Sequence, residues 1–388
     1  MSSMTYSAPL KLGPSLMKNR IVMGPLTRSR AVPTNVPNDA MLEYYVQRAK
    51  GGAGLIISEG ALITQQGTEW ENAPGIWGQQ HIDGWKKITE AVHREGAVMF
   101  CQLWHVGRLS HPDAPEQKAS GNPVYGPSAI AARGYPGIVA RGYPEKFRFL
   151  PGKPGYVTPT AIEDPTDLVE LFRQGAINAK AAGSDGVHGG YGYLIHQFLD
   201  STSNKRTDSY GGSIENRARF GLEALAAVVD VWGSERVAIK LTPAAGGNDI
   251  GMPLKETLET FTHFIQQADK LNLAYICLLR YMELFDVKTD GTWRGAAHDV
   301  LSSAALLISG DLSPEEGASL IASGQIDAAI FGRPWICQPD VGTRIAYGIA
   351  LESKIDMKHI YLQQLDGSDV VDEVIRRGYT DYPAAAYT

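Results

Sequence analysis

Cysteine is nearly absent from this chain. Its three residues, Cys101, Cys277 and Cys337, lie far apart with no CxxC spacing, which removes a disulfide framework, a redox dithiol and a cysteine-built zinc site. None of the nine histidines falls in an HExxH or a Cys/His cluster, so no metal is expected. Apolar runs stay well under the roughly 18–20 residues of a membrane helix, and no membrane partner is expected. Charge of one sign is lacking too. The net charge is −6 and no Lys/Arg run is dense enough to track a phosphate backbone, so nucleic acid is not an expected partner. Met1–Tyr6 shows no basic stretch followed by an apolar one, and Ala384–Thr388 carries no lipidation or peroxisomal signal. The expected location is therefore cytoplasmic. No GxSxG elbow occurs, although a scattered Ser-His-Asp set stays open, and no GxGxxG follows the first strand, which argues against a dinucleotide-binding open sheet.

What remains is an ordinary globular composition. The 388 residues are 44% hydrophobic and 20% charged, enough to bury a large core without staples. Short apolar runs bounded by Gly, Pro, Ser or Asp recur at Arg20–Met23, Gly54–Ser58, Val98–Leu103, Val237–Leu241, Tyr275–Leu279, Ala305–Ser309 and Ala328–Phe331. Continuous Val/Ile/Leu runs of this length suit strands covered on both faces. Gly186–His188 is a weaker eighth candidate. Between the runs lie amphipathic stretches at His81–Glu95, Pro165–Ala182, Ile214–Trp232 and Ser313–Ser323. The first sets Ile82, Trp85, Ile88, Thr89 and Val92 on one face at a period near 3.6. Such alternation gives a barrel or a doubly wound sheet, and the missing glycine fingerprint favours the α/β class with a (β/α)8 TIM barrel. Residues 1–388 are expected to form one domain, because barrels of this class often exceed about 250 residues. The Gly- and Pro-rich stretch 110–160, with its near-copies Arg133–Pro136 and Arg141–Pro144, is a long excursion after the third strand, either a lid or a loop carrying a chance duplication.

Strand ends carry the candidate chemistry: Gly24–Arg28, Ser58–Gly60, Gln102–His105, His188–Tyr193, Lys240–Thr242, Ser309–Asp311 and Phe331–Arg333. Amides, hydroxyls, glycines and cations at C-terminal strand ends suit a planar polar cofactor with a phosphate tail. Gly310, Gly332 and Arg333 fall where barrels commonly place the phosphate, after strands seven and eight.

These residues resemble a known family. Asn19–Arg28, Glu43–Ala49, Pro74–Trp77, Gln102–Trp104, Gln197–Asp200, Asp208–Arg217, Phe331–Pro334 and Gly378–Pro383 are similar, in order and along nearly the whole chain, to the motifs of old yellow enzymes. The resemblance implies an FMN-binding barrel that oxidises NADPH and reduces the C=C bond of a small α,β-unsaturated carbonyl compound. It implies that Pro25, Leu26 and Thr27 line the flavin, Gly60 lets backbone approach it, Gln102 hydrogen-bonds it, and Lys240 lies at its pyrimidine edge. Gly310, Gly332 and Arg333 would receive the phosphate. Trp104 and Tyr379 would wall the substrate pocket, His188 and Tyr191 would hold the substrate oxygen, and Tyr193 would give the proton. A phenol with a reference pKa near 10 is protonated at neutral pH and able to donate.

Four features depart from the family pattern. Tyr191 stands where the family has Asn or His, and the strand before His188 is two residues short. Lys240 replaces an arginine, which keeps a cation but loses the planar fork. Asp311 replaces a glycine beside the expected phosphate, where a carboxylate is repulsive unless a cation intervenes. These departures leave two alternatives: an isomerase or cyclase using the same pocket without net redox turnover, or a non-catalytic binding barrel. Monomer and homodimer are both open.

Overall fold

Period-two burial organises the core. On successive strands, alternate side chains join two separate apolar clusters. Val22, Leu55, Phe100, Ala238, Leu307 and Ile330 belong to one, and Met23, Ile56, Met99, Ile239, Ile276 and Phe331 to the other. Strands whose two faces both meet apolar cores must be covered on both sides. The computed structural model describes residues 2–68, 70–132, 156–189, 193–243, 247–280, 304–352, 354–362 and 372–387.

Eight parallel strands close into a barrel: β1 (Ile21–Met23), β2 (Leu55–Leu62), β3 (Val98–Trp104), β4 (Gly186–Gly189), β5 (Val237–Leu241), β6 (Tyr275–Leu279), β7 (Ala305–Ser309) and β8 (Ala328–Phe331). Closure is direct, with Phe331 of β8 opposite Met23 of β1. The fold class expected from the sequence is therefore the one observed. A ring of helices covers the outside: α1 (Asp39–Lys50), α2 (Gln79–Arg94), α3 (Pro165–Ala181), α4 (Ile214–Trp232), α5 (Leu254–Asp269) and α6 (Pro314–Ala322). Their starts are chemically marked. Asn38, Asp164, Ser213 and Ser313 each accept a hydrogen bond from a first-turn amide, satisfying donors the helix cannot pair itself. At the opposite end of the strands from the candidate chemistry, a hairpin (Leu10–Leu12 with Ser15–Met17) inserts Leu12 and Met17 into the inner cluster.

Two strands differ from expectation. β2 runs on to Leu62 through a bulge in which Ser58 and Glu59 together face Cys101, since Ile57 pairs with Phe100 but Gly60 with Gln102. The extra residue keeps Gly60 in step with Gln102 and lets Glu59 serve a different set of partners. β4 contains the weak candidate. Gly186 is required there, because a Cβ would lie 2.2 Å from the Arg236 carbonyl oxygen and 2.4 Å from the Phe100 ring. In the 110–160 excursion, Tyr125–Gly126 pairs with Thr160–Ala161 and joins its two limbs, while both Arg-Gly-Tyr-Pro copies lie outside the described residues. Among the described residues no helix is long and apolar enough to cross a membrane.

Candidate active site

The inner face carries the apolar core up to the C-terminal end of the strands and then turns polar. Gln102 lies two residues beyond Phe100, Lys240 two beyond Ala238, and Ser309 two beyond Leu307, so all three continue the inner face. Gln102 is 7% exposed. Its backbone N–H donates to Ser58 Oγ at 2.9 Å, but its carboxamide has no hydrogen-bond partner among the described residues. Lys240 stands beside Cys277 of β6, and burial lowers its ammonium below the ordinary lysine range. Burial likewise pushes the Cys277 thiol up to about 11, so Cys277 stays a neutral core group.

Around this floor run the strand-end loops. After β1, the Gly24 amide donates to the Phe331 carbonyl at 2.9 Å, and a Cβ at Gly24 would strike Ile330 at 2.8 Å. Pro25, Leu26 and Thr27 follow, each partly exposed. The Thr27 hydroxyl has no hydrogen-bond partner among the described residues. Space opens over Gly332, where a Cβ would meet nothing nearer than Leu26 Cδ2 at 3.8 Å. At Gly60 the missing side chain makes room for Trp104, whose ring would lie 2.4 Å from a Cβ.

Above the floor stands a row of aromatic rings. Tyr193 meets Trp104 edge-on at 5.1 Å, Trp104 meets Trp70 at 6.2 Å, and Trp70 meets Tyr361 edge-on at 4.8 Å. The Trp104 indole N–H is buried with no partner among the described residues. Trp70 and Tyr361 were not anticipated. Both lie in loops with no periodic pattern, and neither belongs to a motif used above. Tyr379, expected in the pocket, is placed elsewhere. It is 0% exposed, stacks on Tyr44 at 4.1 Å, and lies 5.1 Å from the guanidinium carbons of both Arg28 and Arg30. Neighbours occupy its faces, so the aromatic that the C-terminal segment contributes to the row is Tyr361.

β4 sets His188 directly opposite Gln102 of β3 and Ala238 of β5. Its backbone therefore reaches the same level of the mouth despite the shorter approach. Tyr191 lies outside the described residues.

The corner where the sequence places the phosphate is crowded with charge. Gly310 (φ 118°) and Asp311 (φ 45°) turn the chain after β7, and Arg333 after β8 donates to the Asp311 carboxylate. Arg280, at the end of β6, donates to the Gly310 carbonyl, to the Asp311 carbonyl at 2.9 Å and to the Glu316 carboxylate at 3.0 Å. Arg280 was also missed, although Leu279–Arg280 carries the same cation-at-a-strand-end signal as its neighbours.

Residues 7–352 match the model of the NADH:flavin oxidoreductase / NADH oxidase family. The chain belongs to that family. It is 35% identical to 12-oxophytodienoate reductase 7 of Oryza sativa subsp. japonica, over 97% of this chain and 93% of the relative. Among solved structures, it is similar to morphinone reductase (34% identity, 98% and 96% coverage, TM-score 0.82) and to the old yellow enzyme from Trypanosoma cruzi (28% identity, full coverage of both chains, TM-score 0.84). In this old yellow enzyme homologue the mouth fits FMN. The Thr27 hydroxyl and Gln102 carboxamide, unpartnered among the described residues, could supply polar contacts, Lys240 could supply a cation, and the backbone at Gly332 is open.

Proposed function

We propose that this flavin oxidoreductase reduces the C=C bond of a small α,β-unsaturated carbonyl compound, with NADPH as reductant. One observation carries the reading: a polar floor with groups unpartnered among the described residues, at Thr27 and Gln102, lies under a row of aromatic rings that begins at Tyr193. Bound FMN would supply the hydride-transfer chemistry between the nicotinamide and the substrate β-carbon. Pro25, Leu26, Thr27 and Gln102 would hold its ring system, Gly60 would let backbone approach it, and Lys240 would supply a cation to it. Gly310, Gly332 and Arg333 would receive its phosphate.

The chain's own residues handle the substrate. Trp104, Trp70 and Tyr361 exclude water along one side, which strengthens every polar contact in the mouth. His188 and Tyr191 hold the carbonyl oxygen, drawing electron density off the double bond. Tyr193 carries its phenolic proton to the α-carbon. Packing against Trp104 limits the directions in which that phenol can point.

A second reading, redox-neutral isomerisation or cyclisation, draws on Lys240, Asp311 and the altered substrate pair. A relative from Epichloe festucae var. lolii, 32% identical, is called a probable inactive reductase. One experiment separates the readings. The visible spectrum of the purified protein is followed as NADPH is added without oxygen, and then as 2-cyclohexenone is added. Flavin bands that bleach and return with the enone support the reductase. Bands that NADPH never bleaches favour the redox-neutral reading, and a colourless protein that FMN cannot restore overturns both.

A further inference from the structure

Two buried arginines lie just beyond the residues that line the mouth. Arg28 and Arg30 are 0% and 1% exposed, and enclosing a guanidinium is costly unless its N–H groups are paired. Most of those groups are turned on main-chain carbonyls of one distant segment. Arg28 Nε donates to the Ile360 carbonyl at 2.9 Å, and a second Arg28 arm donates to Gly378. Arg30 Nη2 donates to the His359 carbonyl at 2.6 Å and to Arg377 at 3.2 Å, while its Nε donates to Ile375 at 2.9 Å. The two forks are tied to each other, since Arg30 Nη1 donates to the Arg28 carbonyl at 2.7 Å.

The gripped carbonyls have a pattern. His359 and Ile360 are the two residues before Tyr361, and Ile375 to Gly378 are where the segment returns. Both limbs are pinned to the same short stretch that begins at Thr27. Because the forks hold backbone, they fix the path of the chain, and the first side chain beyond the grip is Tyr361. That ring reaches Trp70 at 4.8 Å. A contiguous series therefore runs from the β1 loop through two guanidinium forks to the far end of the aromatic row.

We infer that Arg28 and Arg30 are positioning residues for Tyr361, and that this clamp sets the size of substrate the mouth admits. The inference rests on the reading of the aromatic row as a substrate wall. A loosened clamp lets Tyr361 swing away. A bulky cyclic enone that needs the wall then binds less well, whereas a short acyclic enal that does not reach it is unaffected.

The test is a double-mutant cycle on the flavin-loaded enzyme. Arg30→Lys keeps the charge and loses the fork. It is expected to raise KM for a bulky cyclic enone roughly 5- to 10-fold with little change in kcat, the signature of lost uniform binding. KM for a short enal should stay within about twofold. Tyr361→Leu is expected to raise KM for the bulky enone similarly, and the double variant no further, because the two residues act in series. Additive effects, an unchanged KM, or equal losses of kcat on both substrates would overturn the inference. Should Arg30→Lys fail to fold, amide hydrogen exchange on the wild type decides instead. Amides of 359–362 protected roughly as strongly as those of 28–30 support the clamp, and free exchange at 359–362 beside protected 28–30 rejects it. A wild type that carries no flavin and consumes no enone fails the underlying functional reading. A yellow, active wild type whose Arg30→Lys variant keeps its KM fails the clamp alone.

Discussion

Arg333 donates to the Asp311 carboxylate across the ends of β7 and β8. The cation expected to receive a phosphate is thus already paired with a carboxylate. Arg280 is balanced in the same way by Glu316, so this corner holds two guanidinium groups and two carboxylates.

A phosphate arriving there must compete with Asp311 for Arg333 and bear the carboxylate's repulsion. At about 5 Å in water, a dianion and a carboxylate repel by roughly 1–2 kcal/mol, near a factor of ten. Asp311→Gly should therefore bind FMN about tenfold more tightly, with riboflavin, which has no phosphate, unchanged. Glycine also suits the left-handed φ of 45°. Quenching of flavin fluorescence on titrating apoprotein measures both. Equal gains for FMN and riboflavin would show that loop geometry, not charge, is responsible.

Glu59 gives a stability signature with a definite sign. Burial, outweighing help from the Arg28 amide and the Tyr45 hydroxyl, raises its carboxyl to about 7 from the usual 4.5. Between those values the unfolded chain has released the proton and the folded chain still holds it. Folding stability from this group is complete below about pH 4.5 and is lost as pH rises through about 7, a decline on the order of 3 kcal/mol. Glu59→Gln, which keeps the shape and the acceptor oxygen, should remove that component. Urea midpoints of both proteins across pH 4.5 to 8 check it: the wild-type minus variant difference should fall with pH. A flat difference would mean that Glu59 keeps its ordinary pKa.

Gly60→Ala probes the wall from beneath. The new methyl would lie 2.4 Å from one ring atom of Trp104 and 2.6 Å from another, and a buried indole cannot yield without moving its neighbours. A stability loss of about 1–3 kcal/mol is expected, together with a shift in tryptophan emission as Trp104 leaves its position beside Trp70. An alanine variant with wild-type emission and denaturant midpoint would show that the indole has room to retreat.

Much of the barrel was readable because its strands are buried on both faces, and continuous Val/Ile/Leu runs announce that condition. β4 was faint because glycines open and close it. Gly186 is demanded by the closeness of Arg236 and Phe100, so its partners make it a strand more than its own residues do. The second strand seemed to stop at Ser58 because Glu59 interrupts the apolar run, and a bulge carries the strand past it. α1 has no clean apolar stripe, since Arg48 is buried on the same helix as Tyr44 and Tyr45. At the mouth, Gln102 and Lys240 could be placed by counting along strands. The clamp could not, because carbonyls such as those of His359 and Ile360 are present at every residue and leave no mark in the sequence. The exchange of Tyr379 for Tyr361 follows from the same fact: the arginines choose which tyrosine is enclosed and which faces the row.

Tyr193→Phe isolates the proton. The ring contact with Trp104 needs no hydroxyl, so the variant keeps the wall and loses only the donor. If Tyr193 protonates the α-carbon, reduction by NADPH should proceed at the wild-type rate, while the reaction with an enone slows by about 100-fold or more, the usual weight of a positioned acid. Stopped-flow absorbance separates the two halves by following bleaching and recovery of the flavin bands. A nitroalkene, whose reduced anion is far less basic, should lose much less than the enone. Equal slowing of both halves would mark Tyr193 as a structural residue of the mouth, and an undiminished enone reaction would pass the proton to another group or to water.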